Sequence, residues 1–297
     1  MKVLNIGSLN IDYVFSVDSL VKRGETKRAE SMKVICGGKG LNQSIALRRA
    51  GMEVMHAGVI GMDGLMLKEI LEGTGVDTTC VQEGPEKSGH AFIQVNQSGD
   101  NSIILYPGAN ETLTMDLVRS WLDKCDPQED VVLLQNETNL TAEIIEEAYG
   151  RGFRIAFNAA PADASVKEYP LEHVTWLFMN ELEGMMLTGE RIPMLMIKSL
   201  RQRCPGVELI ITQGDQGSMI HSNGLNHMIK ALPAEAVDTT GAGDTYVGYY
   251  LMSRMCGEDA LEAGKTATAA ATIAITRSGA ASSIPSMQEV KEFMSEQ

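Results

Sequence analysis

A glycine-rich turn near residue 240 has the residue types that phosphoryl-transfer chemistry requires. The run Val237-Asp238-Thr239-Thr240-Gly241-Ala242-Gly243-Asp244-Thr245 follows an extended segment and precedes a helix with amphipathic spacing. Glycines at such a turn let backbone N–H groups converge on a ligand, and the helix N-terminus adds partial positive charge. We therefore expect an anion hole for a transferring phosphoryl group, formed by Gly241, Ala242 and Gly243.

Asp244 stands at the start of the same helix, directly after the turn. Beside an anion hole it could accept the proton of an attacking hydroxyl group as a general base. The alternative is that Asp244 is an ordinary carboxylate, stabilised near a helix N-terminus by the helix dipole. The turn is not a Walker A loop, because the pattern G-x-x-x-x-G-K-[ST] does not occur in the chain. The motif alone leaves both roles of Asp244 open.

A second glycine cluster, Cys36-Gly37-Gly38-Lys39-Gly40-Leu41-Asn42-Gln43, leads into a helix near the N-terminus. Its glycines allow the backbone to approach a ligand closely, and Lys39 and Asn42 offer donors suited to sugar hydroxyls. Upstream, Asn10 and Asp12 lie two residues apart, which places both side chains on one face of an extended segment. Together these residues predict a polyol-binding strand end. The alternatives are turn chemistry for Asn10 and Asp12 and a solvated surface amine for Lys39.

The composition and net charge of the chain indicate which kinds of binding partner it is not suited to, and in which compartment it is expected. The 297 residues include 39 acidic and 25 basic side chains, a net charge of −14, so we expect no binding of nucleic acid or of an anionic membrane through a general basic field. The five cysteines form no C-x-x-C motif and are odd in number, which predicts free thiols in a reducing compartment. The chain shows no signal-peptide pattern and no apolar run of about eighteen residues. We therefore expect a cytoplasmic protein.

Short apolar runs alternate with helical patterns along most of the chain. Strands that alternate with helices in this way predict an α/β fold, with a doubly wound, mostly parallel sheet covered by helices on both faces. We expect one domain over residues 1–297. The expected strands are Val3–Leu9, Glu53–Ile60, Val131–Leu134, Phe153–Phe157, Val174–Phe178 and Glu208–Thr212, and the expected helices include Leu41–Ala50, Leu65–Leu71, Thr141–Arg151 and a last helix that begins at Ser286 with a capping box.

Several β-rich segments interrupt this alternation, two of them joined by the hairpin signal Gln97–Asp100. They predict a small separate sheet, built from segments near 11–17, 28–36 and 90–107. A sheet that stands off a doubly wound core is suited to act as a lid over a sugar. Because its edge would otherwise be exposed, we expect two lids to pair in a homodimer.

The two glycine clusters together resemble the two signatures of the ribokinase family of carbohydrate kinases. The first signature is Gly37-Gly38-Lys39-Gly40-x-Asn42-Gln43, and the second is Asp238–Thr245. The similarity covers nearly the whole chain, through Gly7–Asp12, Pro107–Asn110 and Thr276–Ala280. The resemblance implies a kinase that transfers a phosphoryl group from MgATP to the primary hydroxyl of a sugar, with D-ribose as the expected acceptor and ribose 5-phosphate as the product.

The resemblance also implies roles for individual residues. The sugar would be held by Asn10, Asp12, Gly38, Lys39, Asn42, Glu137 and Asp244. ATP would be bound by Asn180, Thr212, Gly214, Gly217, Gly243 and Thr268. Glu183, in an N-x-x-E motif, would belong to the Mg²⁺ region, and K⁺ would be bound, mostly through backbone carbonyls, at Asp238, Thr240, Ala274, Arg277, Gly279 and Ser283. From the residues alone, Glu137 could instead be a solvated acid, Glu183 a helix-start acid, and Asp238 a strand end that hydrogen-bonds its own turn.

Some positions depart from the family pattern and leave alternatives open. Thr268 stands where a larger side chain lies near the adenine, and Met179 stands where a proline is common. Cys36 and Asn136 replace an aromatic and an apolar residue near the expected sugar pocket. The acceptor could therefore be deoxyribose, a ketohexose or a nucleoside. A non-catalytic sugar-binding regulator is a further alternative, against which the intact run Gly241–Asp244 argues, because a pure binder needs no base beside an anion hole.

Overall fold

The computed structural model describes residues 1–296, which form a nine-stranded sheet and a separate four-stranded sheet. In the large sheet the strand order is β13-β12-β11-β10-β9-β8-β1-β4-β5, and all neighbours are parallel except at β12 and β13. The strands are β1 (Val3–Ile6), β2 (Asn10–Ser16), β3 (Ser31–Gly37), β4 (Val54–Ile60), β5 (Asp77–Glu83), β6 (Gly89–Val95), β7 (Asn101–Tyr106), β8 (Val131–Gln135), β9 (Arg154–Asn158), β10 (Trp176–Asn180), β11 (Glu208–Thr212), β12 (Ser218–Ser222) and β13 (Leu225–Ile229).

Helices connect the parallel strands, as crossover connections between such strands require. The α-helices are α1 (Lys39–Arg49), α2 (Leu65–Gly73), α3 (Met115–Leu122), α4 (Thr141–Gly150), α5 (Glu181–Thr188), α6 (Pro193–Arg203), α7 (Ala242–Met255), α8 (Ala260–Ile275) and α9 (Met287–Ser295). The capping box expected at the last helix is present, with Ser286 as the N-cap of α9 and Glu289 as its partner.

Two hydrophobic cores cover the two faces of the large sheet. On one face, α1, α2 and α7 to α9 pack against the sheet with side chains that include Ile45, Leu67 and Tyr250. On the other face, α3 to α6 pack against it with side chains that include Trp121 and Ile145. The central strands are almost entirely buried because both of their faces meet helices. This arrangement confirms the doubly wound α/β fold.

The small sheet has the order β3-β2-β6-β7 and shares no strand with the large one. Strand β2 pairs antiparallel with β3 and parallel with β6, so Asn10 faces Gly37 on one side and Gly89 on the other. Further along the strands, large apolar side chains are exposed, among them Met32, Ile103 and Ile104. The prediction of a separate small sheet is therefore confirmed.

Most strand boundaries differ from the sequence prediction by one or two residues, and two differ by more. The first strand ends at Ile6 instead of Leu9, because the chain leaves the large sheet there and enters the small one at Asn10. Strand β3 covers Ser31–Gly37 and so begins later in the chain than the predicted segment near 28–36. All five cysteines are free, as expected. Among the helices of residues 1–296, none combines the length and hydrophobicity needed to span a bilayer.

Candidate active site

The N-terminus of α7 borders a cavity of about 250 Å³ at the carboxyl ends of β9, β10 and β11. In parallel α/β sheets this edge is where ligands bind. The predicted site residues that line the cavity are Lys39, Asn180, Glu183, Thr212, Gly241, Gly243 and Asp244. The lining residues to which the sequence analysis gave no role in the site are Asn158, Ala160, Phe178, Met179, Thr239 and Val247.

The turn before α7 requires its first glycine. Gly241 is the N-cap with φ of 77°, and a Cβ atom there would lie 3.1 Å from Ala280. Within the described chain no side chain caps this helix, so its first N–H groups remain available to a ligand. Ala242 differs from the expectation, because its N–H donates to the Thr239 carbonyl at 3.2 Å. An anion hole here would therefore depend on the neighbouring N–H groups of Gly241 and Gly243.

The carboxylate of Asp244 joins the two glycine clusters. It is 7% exposed, and its two oxygens each accept one side-chain hydrogen bond from α1. Asn42 Nδ2 donates to Oδ2 and Gln43 Nε2 donates to Oδ1, both at 2.9 Å. An acid that only stabilises its own helix does not need such partners. The orientation of Asp244 is set by a helix more than 190 residues away in sequence.

Lys39 places a cation among three carboxylates. Burial acts to lower the pKa of its ammonium group, but the nearby charges of Asp244, Glu137 and Glu183 outweigh burial, and the pKa lies above its ordinary value. Because Lys39 also lines the cavity, its side chain is not a freely solvated surface amine. A fixed positive charge in this position can balance both acidic side chains and an anionic ligand.

Glu137 is anchored at the start of α1. Its Oε2 accepts hydrogen bonds from Ser8 Oγ and, at 3.0 Å, from the backbone N–H of Lys39. Gly38, the N-cap of α1, has φ of 95°, and a Cβ atom there would lie 2.9 Å from the Ser8 carbonyl. This close approach brings Glu137 and Lys39 together. Glu137 is therefore held at the N-terminus of α1 and is not a freely solvated acid in a loop.

Asn10 and Asp12 lie two residues apart at the start of β2. Asn10 Oδ1 accepts from Asn110 Nδ2 at 2.7 Å, which leaves the amide NH₂ of Asn10 as a donor. For the buried Oδ1 of Asp12, the described residues provide no hydrogen-bond donor. Burial and the charge of Glu137 together raise the pKa of Asp12 to about 7. A donor beside an unpaired acceptor suits a ligand with neighbouring hydroxyl groups.

Asn180 and Glu183 form a capping box at the start of α5. Asn180 Oδ1 accepts from the Glu183 N–H at 2.9 Å, and Glu183 Oε2 accepts from the Asn180 N–H at 2.7 Å. Both residues also line the cavity, and burial raises the pKa of Glu183. No three His, Cys, Asp or Glu side chains of residues 1–296 cluster as a metal site. Mg²⁺ often uses only one or two carboxylates, together with waters and substrate phosphates, so Glu183 at the edge of the cavity fits it.

Asp238 joins the two loops that were expected to bind a monovalent cation. Its Oδ1 accepts from the Thr240 N–H and its Oδ2 from the Gly279 N–H, both at 2.9 Å. The first bond is also the one expected if Asp238 only stabilises its own turn. Of the other expected positions, Ser283 is buried, the Ala274 carbonyl accepts the Arg277 N–H, and the side chain of Arg277 pairs with α9.

A second cavity of about 360 Å³ lies between β13 and α8. Its mainly apolar wall includes Leu232 and also contains Thr268, which therefore does not line the first cavity. Thr212 does line the first cavity, at the end of β11. Gly214 and Gly217 belong to the tight turn between β11 and β12. The expected nucleotide residues are thus divided between two cavities and the turn after β11.

Comparison with known proteins identifies the family. The family model described as "pfkB family carbohydrate kinase" matches residues 1–287. This chain belongs to the pfkB family of carbohydrate kinases. It is a sugar kinase of that family, and the first cavity lies at the edge of the sheet where the two glycine clusters meet.

Individual relatives of this pfkB-family kinase are similar over their full lengths. A ribokinase of Haemophilus influenzae is 36% identical over 298 residues, which cover 97% of each chain. A deoxyribokinase of Salmonella typhi is 30% identical over 312 residues, with 99% of each chain covered. The structure of Arabidopsis thaliana ribokinase complexed with ribose and ATP superposes with a TM-score of 0.85 at 25% identity, covering 99% of this chain and 98% of that one.

Several polar residues that hold or border the cavity residues were given no role by the sequence analysis. Gln43 and Asn110 hold Asp244 and Asn10, Asn158 lines the cavity, and Gln135 contacts Gln43. Two of them carried a signal, because Gln135 and Asn158 are the last residues of apolar strands whose carboxyl ends form the ligand-binding edge. Gln43 lay inside the first signature, but its contact with Asp244 depends on tertiary packing.

Proposed function

We propose that this kinase transfers the terminal phosphoryl group of ATP to the primary hydroxyl of D-ribose and releases ribose 5-phosphate. The observation that carries the proposal is the position of Asp244, buried between the uncapped N-terminus of α7 and the side chains of α1. The names of the Haemophilus ribokinase and of the Arabidopsis complex with ribose and ATP support the choice of both substrates.

The sugar would lie over the start of β2 and the N-terminus of α1. Asp12 would accept hydrogen bonds from its hydroxyl groups through the unpaired oxygen, and Asn10 would donate through its free NH₂ group. Lys39 and Asn42 would complete the pocket. The side chain of Asn42 already donates a hydrogen bond to Asp244. A sugar that contacts the Asn42 amide would therefore have a hydroxyl group close to the proposed base.

In the reaction, Asp244 would accept the proton of the primary hydroxyl as that oxygen attacks the terminal phosphorus of ATP. A new P–O bond forms to the sugar, and the P–O bond to the leaving ADP breaks. The N–H groups of Gly241 and Gly243, at the positive end of α7, would stabilise the charge on the transferring group. Lys39 would add a fixed positive charge on the same side.

The nucleotide phosphates would occupy the first cavity, near Asn180 and Thr212, and the turn with Gly214 and Gly217 would border the nucleotide. The adenine would lie in the apolar second cavity, where Thr268 forms part of the wall. Glu183 would help to hold Mg²⁺ beside the phosphates, where the ion would neutralise their negative charge. A small polar Thr268 leaves the adenine to be held mainly by shape and apolar contact.

An ADP-release assay over a panel of acceptors tests the function. We expect kcat/KM for D-ribose to exceed that for fructose or for a nucleoside by about 10- to 100-fold, because a poorly fitting ligand leaves buried polar groups unpaired. The Salmonella deoxyribokinase makes 2-deoxyribose the second candidate, so the panel includes it. A higher kcat/KM for 2-deoxyribose would change the acceptor, whereas sugar binding without any ADP release would indicate a non-catalytic regulator.

We also propose activation by K⁺ at the loops joined by Asp238. A cation held by carbonyls of residues 238–240 and 274–283 would fix the turn that precedes α7, because Asp238 already ties Gly279 to that turn. The effect is preorganisation of the anion hole, so it should increase kcat more than it changes KM. The test is titration of KCl against choline chloride at equal ionic strength. Equal rates in the two salts would contradict this proposal, and loss of the difference in Asp238→Ala would support it.

We propose that two copies of the chain pair through their small sheets. The apolar side chains exposed on β3 and β7 support this, since an unpaired edge with such residues favours association. Light scattering at micromolar protein should give about twice the monomer mass of 32.2 kDa. A monomer under those conditions would exclude the dimer. Replacement of exposed Ile104 by Lys should convert a dimer to monomers while leaving the large sheet intact.

A further inference from the structure

Three adjacent strands of the large sheet each carry one buried polar side chain beneath α1. These are Asn5 on β1, His56 on β4 and Gln135 on β8, all between 0% and 1% exposed. Asn5 pairs in register with His56, and β8 flanks β1 on the other side. Burial of such groups is unfavourable unless they are hydrogen-bonded. Their common position indicates one network between the sheet and α1.

The backbone carbonyl of Gly40 fixes which amide atoms in this network donate and which accept, because a carbonyl oxygen can only accept a hydrogen bond. Asn5 Nδ2 donates to the Gly40 carbonyl at 2.8 Å, so Asn5 Oδ1 must face Gln135. Gln135 Nε2 donates to Asn5 Oδ1 at 2.9 Å and to Gln43 Oε1 at 2.8 Å. With its oxygen engaged there, Gln43 directs its NH₂ group to Asp244 Oδ1 at 2.9 Å. Each hydrogen bond in this chain, from the Gly40 carbonyl to the Asp244 carboxylate, therefore has one defined donor and one defined acceptor.

We propose that Gln43 is a positioning residue for Asp244 and that Gln135 holds Gln43 in the required orientation. The proposal rests on the proposed function, because it takes Asp244 as the base. Gln43 is fully buried and cannot contact a substrate in the cavity. Its bond and that of Asn42 each hold one oxygen of Asp244, which fixes the plane of the carboxylate relative to the hydroxyl it would deprotonate.

Gln135 matters because an amide can be turned by half a rotation at little steric cost. If Gln135 did not donate to Gln43 Oε1, the Gln43 amide could turn and present its oxygen to the carboxylate of Asp244. The two oxygens would repel each other, and Asp244 would move or lose its fixed plane. A residue that touches neither Asp244 nor substrate would thus affect the reaction through one intervening side chain.

A second branch of the same network leads away from Asp244 and provides a matched control. Ser44 Oγ accepts from Asn5 Nδ2 at 2.8 Å and lies 2.8 Å from His56 Nδ1. Burial lowers the pKa of His56 to about 4, so its ring is neutral, and its Nδ1 and Ser44 Oγ share one hydrogen bond. Ser44 is as buried as Gln43 and lies on the same helix. Its loss should affect stability without affecting Asp244.

The experiment compares Gln43→Met, Gln135→Met and Ser44→Ala by steady-state kinetics and thermal unfolding. We expect kcat to fall about 10- to 100-fold in Gln43→Met and by a smaller factor in Gln135→Met, with KM for sugar and ATP within about threefold. Ser44→Ala should lower Tm but retain kcat. In an Asp244→Asn background, Gln43→Met should cause no further loss, since its effect passes through that carboxylate.

The outcomes separate this inference from the proposed function. Near-normal turnover of Asp244→Asn would overturn the base itself and, with it, the role of Gln43. Suppose that Asp244→Asn has a low kcat, but that Gln43→Met retains as much kcat as the control Ser44→Ala. That result would overturn only the positioning role of Gln43. If Gln43→Met does not fold, Gln135→Met decides the question, because a fall in kcat at retained Tm is not expected of a purely structural side chain.

Discussion

Replacement of Asp244 by Asn should lower kcat by about 10² to 10⁴-fold while ATP binding is retained. The substitution keeps the size and helix position of the side chain but removes its ability to accept a full proton. It also places an amide where Asn42 and Gln43 donate, so one of these bonds is lost or rearranged. Steady-state ADP release gives kcat, and calorimetry with a nucleotide gives the binding constant.

A control is needed because any acid in the first helical turn interacts with the helix dipole. Asp116 occupies the first turn of α3, away from the cavity, and Asp116→Asn removes the same charge there. It should change stability slightly and leave kcat unchanged. A folded Asp244→Asn enzyme with kcat close to that of Asp116→Asn would show that Asp244 is only a helix-start acid.

The parts of the site that could be predicted from the sequence are those held by local backbone geometry. The turn at Gly241 depends on a positive φ, which glycine adopts readily. This turn determines where α7 begins, and so it also places Asp244, which lies only three residues further along the chain. The small sheet was predictable because its segments have strand periodicity and a hairpin signal between β6 and β7. Such features require no knowledge of distant contacts.

The network beneath α1 could not be predicted in the same way. Asn5, His56 and Gln135 become neighbours only through the order and register of β8, β1 and β4, which are set by tertiary packing. The hairpin of β12 and β13 was missed for a different reason: Ser218–Ser222 shows no alternation of polar and apolar residues, and the local turn signal Asn223-Gly224, with both residues at positive φ, was not used. Long-range strand pairing, rather than local propensity, determines the network, whereas the hairpin depends on its own turn.

The affinity for D-ribose should rise as pH increases through about 7, because of Asp12. Burial and the charge of Glu137 raise the pKa of this carboxyl to about 7 in the ligand-free protein, so it is mostly protonated below that pH. Sugar hydroxyls donate more strongly to the ionised form. If only that form binds, the dissociation constant should fall by up to about tenfold per pH unit below pH 7 and level off above it.

The raised pKa of Asp12 also makes the stability of the ligand-free protein depend on pH. A carboxyl whose pKa is raised on folding disfavours the fold when it is ionised, so the free energy of unfolding falls progressively as pH rises from the ordinary pKa of 3.8 to about 7 and then levels off. Ribose should restore that stability at high pH, because its hydroxyl groups compensate the buried charge. Thermal unfolding with and without the sugar should therefore show a ligand-induced increase in Tm that grows with pH.

Asp12→Asn is the matched variant, because it retains an acceptor oxygen but cannot ionise. It should bind ribose about 10- to 100-fold more weakly than the unmodified protein above pH 7, and its affinity should no longer depend on pH in this range. Calorimetry in two buffers of different ionisation enthalpy should detect proton release on binding only when Asp12 is present. Glu137 and Cys36 are the other titratable groups beside Asp12, and both remain in the variant. A pH dependence that persists in Asp12→Asn would therefore assign the titration to one of these neighbours and contradict the role of Asp12.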